Sequence, residues 1–482
     1  MAARRIVQAQ VAVVGGGISG LATAYWLATE HAVDVVLLEA DGRLGGKVST
    51  QSLAGLPVDT GPDAFLSRGP DLAELVSRLG LTDDVVSPRA GGAFIWSRGR
   101  LRRIPQGGAF GIPDRVLPLV RSRLLSPAGV FRAGLDFVLP TTPLPADPTV
   151  AEVLRPRLGD EVVERIVQPL LGGVHAGSVD RLSARSTVPD VVALAGSSRS
   201  LVLALRRRSA SAPKPTAPPA APLVSLRGGL TRLVDAVVAA VGADRLHTTA
   251  TVTALRRTGT GWHLTTPDLK VEVQQVVLAT PAHASAELLA AVDPRLAHEL
   301  RGIEYVDVAT VTLALPRAEV GELVGTGFLV PPVEGALLVG CTWLTSKWPH
   351  LADATTDTVL LRCMVGRDGD DRWTEMDDAA LVAAVRADLT RTMGLDATPT
   401  ATLVQRWPRA IPQYVVGHAD RLAVLDLLVP SRMHLTGAAF RGSGLAACVA
   451  AARRTANDVA TDLNGSDHPD HRPDPSLQGA TP

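Results

Sequence analysis

Short apolar runs, each followed by a stretch with helical spacing, dominate both ends of the chain. Residues 11–14 form such a run and end in glycines, a helical pattern follows, and residues 34–38 form a second run. The pattern returns after residue 223 and again after residue 434, whereas residues 301–404 favour strands. Because parallel strands need helical crossovers, this alternation predicts an α/β fold whose Rossmann-type domain is built from distant segments.

Breaks in the pattern predict a division into domains. We expect a discontinuous nucleotide-binding domain over residues 1–87, 223–300 and 405–464. Prolines interrupt short helical segments in residues 88–208, which predicts a helical subdomain on the substrate side, and residues 301–404 should form a mixed-sheet substrate domain. The Pro/Ala-rich stretch 209–222 predicts a linker, and the polar residues 465–482 predict a disordered tail.

Charge and composition exclude several classes of function. The 48 basic and 48 acidic residues give a formal net charge of +0, which argues against nucleic-acid binding. No apolar run is long enough for a transmembrane helix, and arginines scattered through residues 88–208 allow at most peripheral membrane contact. Cys341, Cys363 and Cys448 lack zinc spacing, so we interpret them as buried apolar residues of a cytoplasmic protein.

The first apolar run opens a dinucleotide fingerprint. Gly15, Gly17 and Gly20 stand where the tight turn, the approach of a pyrophosphate and the close packing of helix on strand each require glycine. The phosphates would lie at the N-terminus of the following helix, which favours negative charge. Glu39 ends the next strand, where a ribose hydroxyl needs an acceptor.

A second glycine loop indicates FAD rather than a nicotinamide cofactor. Gly45 and Gly46 lie between Arg43 and Lys47, a pairing of flexible backbone with basic groups that suits a pyrophosphate. The strand ending at Thr280 is followed by no second fingerprint, so a bound nicotinamide is not expected. The helix that begins near Leu445 is a candidate neighbour for flavin N1 and O2.

The side chains offer little chemistry of their own. The sequence contains no metal-ligand cluster, no paired acids at a useful spacing and no Ser-His-Asp order, and His175, His283, His350 and His418 are isolated. We therefore assign no catalytic side chain and no metal site, and we expect the flavin to carry the reaction.

Motifs along nearly the whole chain resemble the protoporphyrinogen/coproporphyrinogen oxidase family, most closely its soluble Gram-positive branch. The glycine motifs are shared with amine oxidases, whereas several internal stretches are more particular to the family. They are Gly159-Asp160-Glu161-Val162-Val163-Glu164, Pro169-Leu170-Leu171-Gly172-Gly173-Val174-His175-Ala176-Gly177, Lys347-Trp348-Pro349-His350 and Ile411-Pro412-Gln413-Tyr414-Val415-Val416-Gly417-His418.

The resemblance implies an enzyme of heme biosynthesis that uses FAD and O2 to take six electrons from coproporphyrinogen III. It also implies a porphyrinogen partner, release of H2O2 and a transient hand-over of product to ferrochelatase. The FAD contacts carried over by motif are Gly15, Gly16, Gly17, Ile18, Ser19, Gly20, Glu39, Ala40, Arg43, Lys47, Gly61, Pro62, Asp63, Ala64, Val252, Trp407, Gly444, Leu445 and Ala446.

The substrate side departs from the family pattern at one position. Gly173 matches a glycine that in the family lies close to the substrate ring. Organellar members carry an arginine where this chain has Ala93, so other arginines must bind the propionates, and Arg68, Arg98 and Arg441 are the candidates.

Three alternatives remain open from the sequence. The first is a protoporphyrinogen IX oxidase, which local motifs do not distinguish. The second is a flavin amine oxidase of the same fold, which is disfavoured because the loop 437–444 offers one aromatic residue, Phe440. The third is a flavin- or porphyrin-binding protein without turnover.

Overall fold

The computed structural model of the chain describes residues 5–105, 112, 116–140, 143–211 and 221–465. Its strands are β1 (Arg5–Val14), β2 (Val35–Leu38), β3 (Thr50–Leu53), β4 (Leu56–Asp59), β5 (Phe65–Leu66), β6 (Val85–Val86), β7 (Phe94–Ser97), β8 (Arg100–Arg103), β9 (Leu223–Leu226), β10 (Leu246–His247), β11 (Ala254–Arg257), β12 (Trp262–Thr265), β13 (Leu269–Leu278), β14 (Tyr305–Pro316), β15 (Gly327–Leu329), β16 (Leu338–Trp343), β17 (Thr358–Val365), β18 (Ala401–Pro412) and β19 (Met433–Leu435).

The helices alternate with these strands and fill the region before β9. They are α1 (Ile18–Glu30), α2 (Pro70–Arg78), α3 (Val116–Ser122), α4 (Pro127–Gly134), α5 (Val150–Leu158), α6 (Asp160–Val162), α7 (Gln168–His175), α8 (Ala184–Thr187), α9 (Pro189–Ser197), α10 (Leu201–Ser211), α11 (Thr231–Val241), α12 (Ala282–Leu289), α13 (Pro294–Arg301), α14 (Arg317–Val320), α15 (Leu344–Lys347), α16 (Pro349–Asp353), α17 (Asp378–Met393), α18 (His418–Leu428) and α19 (Leu445–Gly465). A π-helical turn, Val163–Val167, joins α6 to α7.

The first sheet is the expected nucleotide-binding sheet. Its order is β10-β2-β1-β13-β12-β11, with β19 also paired to β13, and β10, β2, β1, β13 and β19 run parallel. Residues 11–14 are buried on both faces of the sheet, which explains their unbroken apolar run. The carboxyl ends of β1, β2, β13 and β19 meet at one edge, where open α/β sheets bind their ligands.

The second sheet has the order β18-β14-β17-β16-β15-β7-β8 and is antiparallel except where β15 pairs with β7. Helix α17 packs on one of its faces. Cys341 and Cys363 stand opposite each other on β16 and β17, buried and unbridged. Their burial agrees with the sequence interpretation, whereas their pairing in space follows from strand register alone.

Helices α3 to α10 enclose a separate apolar core. Prolines stand near the start of α4 and α9, where the missing N–H costs no hydrogen bond. Within the described parts of the chain, no helix is long and apolar enough to cross a membrane.

The structure differs from the predicted boundaries at several places. Strands β7 and β8 fall within the predicted helical segment 88–208 but join the second sheet, and β18 extends that sheet past residue 404. Thr249 has a φ of 53°, so the strand predicted from that residue begins only at Ala254. Helix α10 runs three residues into the predicted linker, while residues 212–220 and the tail 466–482 lie outside the described residues.

Candidate functional site

The turn between β1 and α1 has the three properties that a dinucleotide fingerprint requires. Gly15 has a φ of 105°, which favours glycine. A Cβ on Gly20 would lie 1.9 Å from the carbonyl oxygen of Gly15, so the close approach of helix and strand excludes any side chain there. A Cβ on Gly17 would meet no atom within 4 Å. The backbone therefore leaves open space at the position where a phosphate approaches.

Glu39 lies beside this turn, at the end of β2. Its carboxylate accepts hydrogen bonds from the N–H groups of Gly16 and Asp41, the latter at 2.8 Å. The Ala250 N–H donates to the Glu39 carbonyl at 2.8 Å, which brings the buried Val252 to the same edge of the sheet. Glu39, Ala40 and Val252 are thus neighbours, as the sequence predicts for the adenosine half of a dinucleotide.

The second glycine loop packs directly on the first. The Gly45 N–H donates to the Gly16 carbonyl at 2.8 Å, and a Cβ on Gly46 would lie 3.0 Å from the Gly17 Cα. Arg43 donates to carbonyls of its own loop, at Gly46 and Val48. The Lys47 side chain is open to solvent, but desolvation by the surrounding protein lowers the pKa of its ammonium group, as expected for a side chain that lines a cleft.

Side chains of the second sheet hold the predicted cofactor segment 61–64 in place. The Thr60 carbonyl accepts the indole N–H of Trp407 at 3.0 Å and the hydroxyl of Thr310 at 3.1 Å. The Gly61 carbonyl accepts from the guanidinium of Arg362. The segment that follows β4 is therefore positioned by β14, β17 and β18 together.

Asp63 is the centre of a buried ion-pair cluster at this contact. Lys347 Nζ lies 2.8 Å from its Oδ2, and an Arg362 nitrogen lies 3.5 Å from its Oδ1. Burial by itself would raise the pKa of Asp63, but the charges of Lys347 and Arg362 outweigh it and bring the pKa to about 2. Asp63 thus carries a full negative charge between two cations.

Asp59 stands at the end of β4 in a different environment. Desolvation raises the pKa of Asp59 to about 6. Hydrogen bonds from the Thr50 hydroxyl at 2.6 Å and from the Leu230 N–H at 2.9 Å act in the opposite direction and lower the pKa. Because the folded pKa lies above the unfolded value, the contribution of Asp59 to stability is full below about pH 4 and is lost as the pH rises through about 6.

Asp59→Asn is therefore expected to be more stable than the wild type at neutral pH, by at most about 3 kcal/mol, and equally stable near pH 4. An asparagine oxygen can still accept both hydrogen bonds. Urea unfolding of both proteins across this range gives the difference. Asp353→Asn, at an exposed ion pair, is the matched control, and a D59N difference that does not change with pH would contradict the assignment.

The C-terminal loop 437–444 completes the cradle. A Cβ on Gly437 would lie 3.9 Å from the Ala279 carbonyl and 4.0 Å from the Ser19 hydroxyl, so the loop lies beside the fingerprint turn. Helix α19 begins at Leu445, and its first-turn N–H groups have no helical acceptor. The predicted contacts Gly444, Leu445 and Ala446 therefore stand at a helix N-terminus that faces the cradle.

The predicted cofactor residues thus come together from seven separate segments, Val252 included. They are Gly15, Gly16, Gly17, Ile18, Ser19 and Gly20, then Glu39 and Ala40, Arg43 and Lys47, Gly61, Pro62, Asp63 and Ala64, Trp407, and Gly444, Leu445 and Ala446, with Val252 beside Glu39. The open space before Gly17 and the surrounding backbone N–H groups fit a dinucleotide pyrophosphate.

The predicted substrate residues are not all brought together. Gly173 is exposed on α7 and faces β15, where a Cβ would lie 3.4 Å from a Leu329 methyl group. Arg68 and Arg441 are exposed on segments that flank the first turn of α19, because Gly69 and Gly442 approach Ala446 and Ala447. Arg98 lies elsewhere, and its guanidinium pairs with Glu161 at 2.9 Å, so a propionate would have to displace that carboxylate.

Sequence reasoning missed Asp59, Thr310, Lys347 and Arg362 as parts of the site. One compositional signal was available, because the chain has only four lysines and two of them, Lys47 and Lys347, lie at the cradle. The contacts themselves join residues nearly 300 positions apart, since Lys347 and Asp63 are separated by 284 positions.

Comparison with known proteins shows which family has this arrangement. Residues 18–460 match the profile of the flavin containing amine oxidoreductases. The chain belongs to that family. Flavin containing amine oxidoreductases hold a flavin, and the cradle of glycine turns is where this member would hold it.

Relatives within the family are similar over nearly the full length. Coproporphyrinogen III oxidase of Bacillus subtilis is 33% identical over 94% of this chain and 98% of that protein. Protoporphyrinogen oxidase 1, chloroplastic, of Arabidopsis thaliana is 32% identical over 93% of this chain and 87% of that protein. A crystal structure assigned to a protoporphyrinogen oxidase from Exiguobacterium sp. 255-15 has a TM-score of 0.84 at 31% identity and covers 94% of this chain and 99% of that one. These matches confirm the resemblance found in the sequence.

Proposed function

We propose that the protein is a cytoplasmic, FAD-dependent oxidase that converts coproporphyrinogen III to coproporphyrin III with O2 as acceptor. The proposal is supported by the cradle of glycine turns in a chain that is similar over nearly its whole length to coproporphyrinogen III oxidases. When bound, the flavin accepts hydride equivalents from the macrocycle and passes electrons to O2, so that three turnovers remove six hydrogens and release three H2O2.

The residues of the chain have positioning roles in this proposal. The turns at Gly17 and Gly46 would hold the pyrophosphate, Glu39 would accept a hydroxyl of the adenosine ribose, and the N-terminus of α19 would stabilise negative charge on the isoalloxazine. FAD rather than FMN is supported by Glu39, because only a dinucleotide would use both that carboxylate and the second glycine loop.

The substrate would enter between α7 and the second sheet. A flat macrocycle would approach the exposed, bare backbone at Gly173 beside apolar side chains of β15 and β16, such as Leu329. Propionates at the rim suit exposed arginines, and Arg68 and Arg441 are better placed than the paired Arg98 because both flank the start of α19. The product, a planar porphyrin, would be handed transiently to ferrochelatase.

Porphyrin fluorescence tests the proposal directly. Coproporphyrinogen III prepared without oxygen and then mixed with enzyme and air should give coproporphyrin fluorescence faster than the autoxidation blank, with three H2O2 per porphyrin. Comparison of kcat/KM for coproporphyrinogen III and protoporphyrinogen IX separates the two oxidase functions. No fluorescence above the blank for either substrate would refute both, and oxidation of amines in their place would support the amine oxidase alternative.

Gly173→Ala is expected to lower kcat/KM about a hundredfold while flavin content is unchanged, since a methyl group would displace the macrocycle. The chain itself accommodates the methyl group, 3.4 Å from Leu329, and alanine favours the helix, so the melting temperature should not fall. Gly196→Ala on α9, where a Cβ meets no atom within 4 Å, is the matched control. Equal activity of G173A and the wild type would remove Gly173 from the substrate site.

A further inference from the structure

The segment Gln413–His418, a motif with no part in the proposed function so far, connects α7 to the loop 437–444. The Gln413 side chain is buried, and its amide donates to the His175 carbonyl at 2.9 Å, two residues beyond Gly173. A Cβ on Gly177 would lie 2.5 Å from Gln413 Oε1, which leaves no room for another side chain at this contact. The end of α7 is therefore fixed to this segment.

Tyr414 attaches the segment to the loop that precedes α19. Its hydroxyl donates to the Ala438 carbonyl and accepts the Gly442 N–H at 2.9 Å. The Tyr414 hydroxyl oxygen thus bonds the loop at two places, Ala438 and Gly442. The ring is buried and stacks on His418, with centroids 4.3 Å apart and planes 12° from parallel.

His418, the first residue of α18, lies against the same loop. Its ring lies beside the Ala439 carbonyl, and burial lowers its pKa to about 4, so the ring is neutral at physiological pH. The segment is anchored on its other side by the helical region, because the Ser183 N–H donates to the Tyr414 carbonyl at 2.8 Å and the Gly417 N–H donates to Asp147 at 2.8 Å. The phenol is therefore held rigidly against the loop.

We propose that Tyr414 is a positioning residue that orients the first turn of α19 and thereby raises the reduction potential of the flavin. The inference rests on the proposed placement of the flavin beside that turn. Unpaired N–H groups and the helix dipole stabilise the negative charge that a reduced flavin gains, and the strength of this effect falls off within one helical turn. Movement of the loop by a fraction of an ångström would weaken it, because preorganised donors act only at the right position.

Tyr414→Phe in the flavin-loaded protein tests the role. The variant keeps the ring stack on His418 and loses only the hydroxyl. We expect the equilibrium constant for two-electron reduction, measured against a dye of known potential, to fall about tenfold, which corresponds to about 30 mV. We also expect kcat to fall with little change in KM.

Tyr305→Phe is the matched control. The Tyr305 hydroxyl also accepts a backbone N–H, from Ala282 at 2.8 Å, but among the described residues it makes no hydrogen bond to the loop. Both variants should show a similar fall in melting temperature, and only Y414F should shift the reduction potential of the flavin. An unshifted potential in Y414F with a lower melting temperature would reduce Tyr414 to a structural residue and overturn the proposal.

His418→Phe keeps the test decisive if Y414F does not retain flavin. It removes the imidazole that lies beside the Ala439 carbonyl and keeps an aromatic ring against Tyr414, so its potential should fall in the same direction. An unshifted potential in H418F would then overturn the proposal. A shifted potential in a protein that oxidises no porphyrinogen would refute the proposed substrate and leave the role of Tyr414 standing.

Discussion

Gly17→Val is expected to weaken FAD binding at least about a hundredfold, or about 3 kcal/mol, while the apoprotein keeps the melting temperature of the wild type. Gly17 has φ −68° and ψ 173°, which valine adopts without strain, and a Cβ there meets no atom of the chain within 4 Å. The added methyl groups would occupy the space before the turn. FAD titration of the apoproteins, followed by flavin fluorescence, measures the effect.

Gly20→Ala is the contrasting variant of the same turn. Its Cβ would lie 1.9 Å from the Gly15 carbonyl oxygen, so α1 must move away from β1, and we expect the apoprotein to lose about 3 kcal/mol of stability. The two glycines thus have separable roles, one toward the ligand and one toward the fold. Wild-type affinity for FAD in G17V would show that the pyrophosphate does not approach this turn.

Lys347→Met is expected to lower the free energy of unfolding by about 3 kcal/mol at neutral pH, because it leaves the Asp63 carboxylate with Arg362, 3.5 Å away, as its one remaining ion-pair partner in the described part of the chain. Lys347 and Asp63 are each less than one-fifth exposed, so water replaces the lost ammonium poorly. The pKa of Asp63 should rise from about 2 toward its usual value, since the largest favourable charge is gone. Urea unfolding of the apoprotein measures the loss.

A double-mutant cycle separates the ion pair from the packing of the lysine chain. Asp63→Asn in the K347M background removes the unpaired charge, and the double variant should recover part of the stability that K347M loses. Arg208→Met, at an exposed pair with Asp190, is the control and should lose less than about 1 kcal/mol. A K347M loss as small as that of R208M would show that the cluster at Asp63 does not hold the two sheets together.

The cluster also explains why the segment 61–64 lies against the second sheet. Asp63 and Gly61 belong to the segment proposed to contact the flavin, whereas Lys347 ends α15, which follows β16, and Arg362 lies on β17. Charged hydrogen bonds thus join the proposed cofactor segment directly to the second sheet.

The sequence by itself determined the features that depend on local geometry. A strand, a glycine turn with a left-handed residue at Gly15, a helix and an acid at the end of the next strand all lie between Arg5 and Glu39, so each requirement is visible in the local sequence. Hydrophobic patterning also predicts a helix over about residues 379–393 and a buried strand over residues 276–281, because it reports which face of an element is covered. The structure has α17 over Asp378–Met393 and a buried run at the end of β13.

Only the tertiary structure decided which distant elements meet. Periodicity shows that Phe94–Ser97 has an apolar face, but not that it pairs with β15 instead of joining a helical subdomain. The bonds from Lys347 to Asp63 and from Tyr414 to Ala438 depend on side-chain positions set by the packing of two sheets and a helical region. Hydrogen bonds between residues far apart in the chain leave no local spacing, so their partners become visible only when the chain is folded.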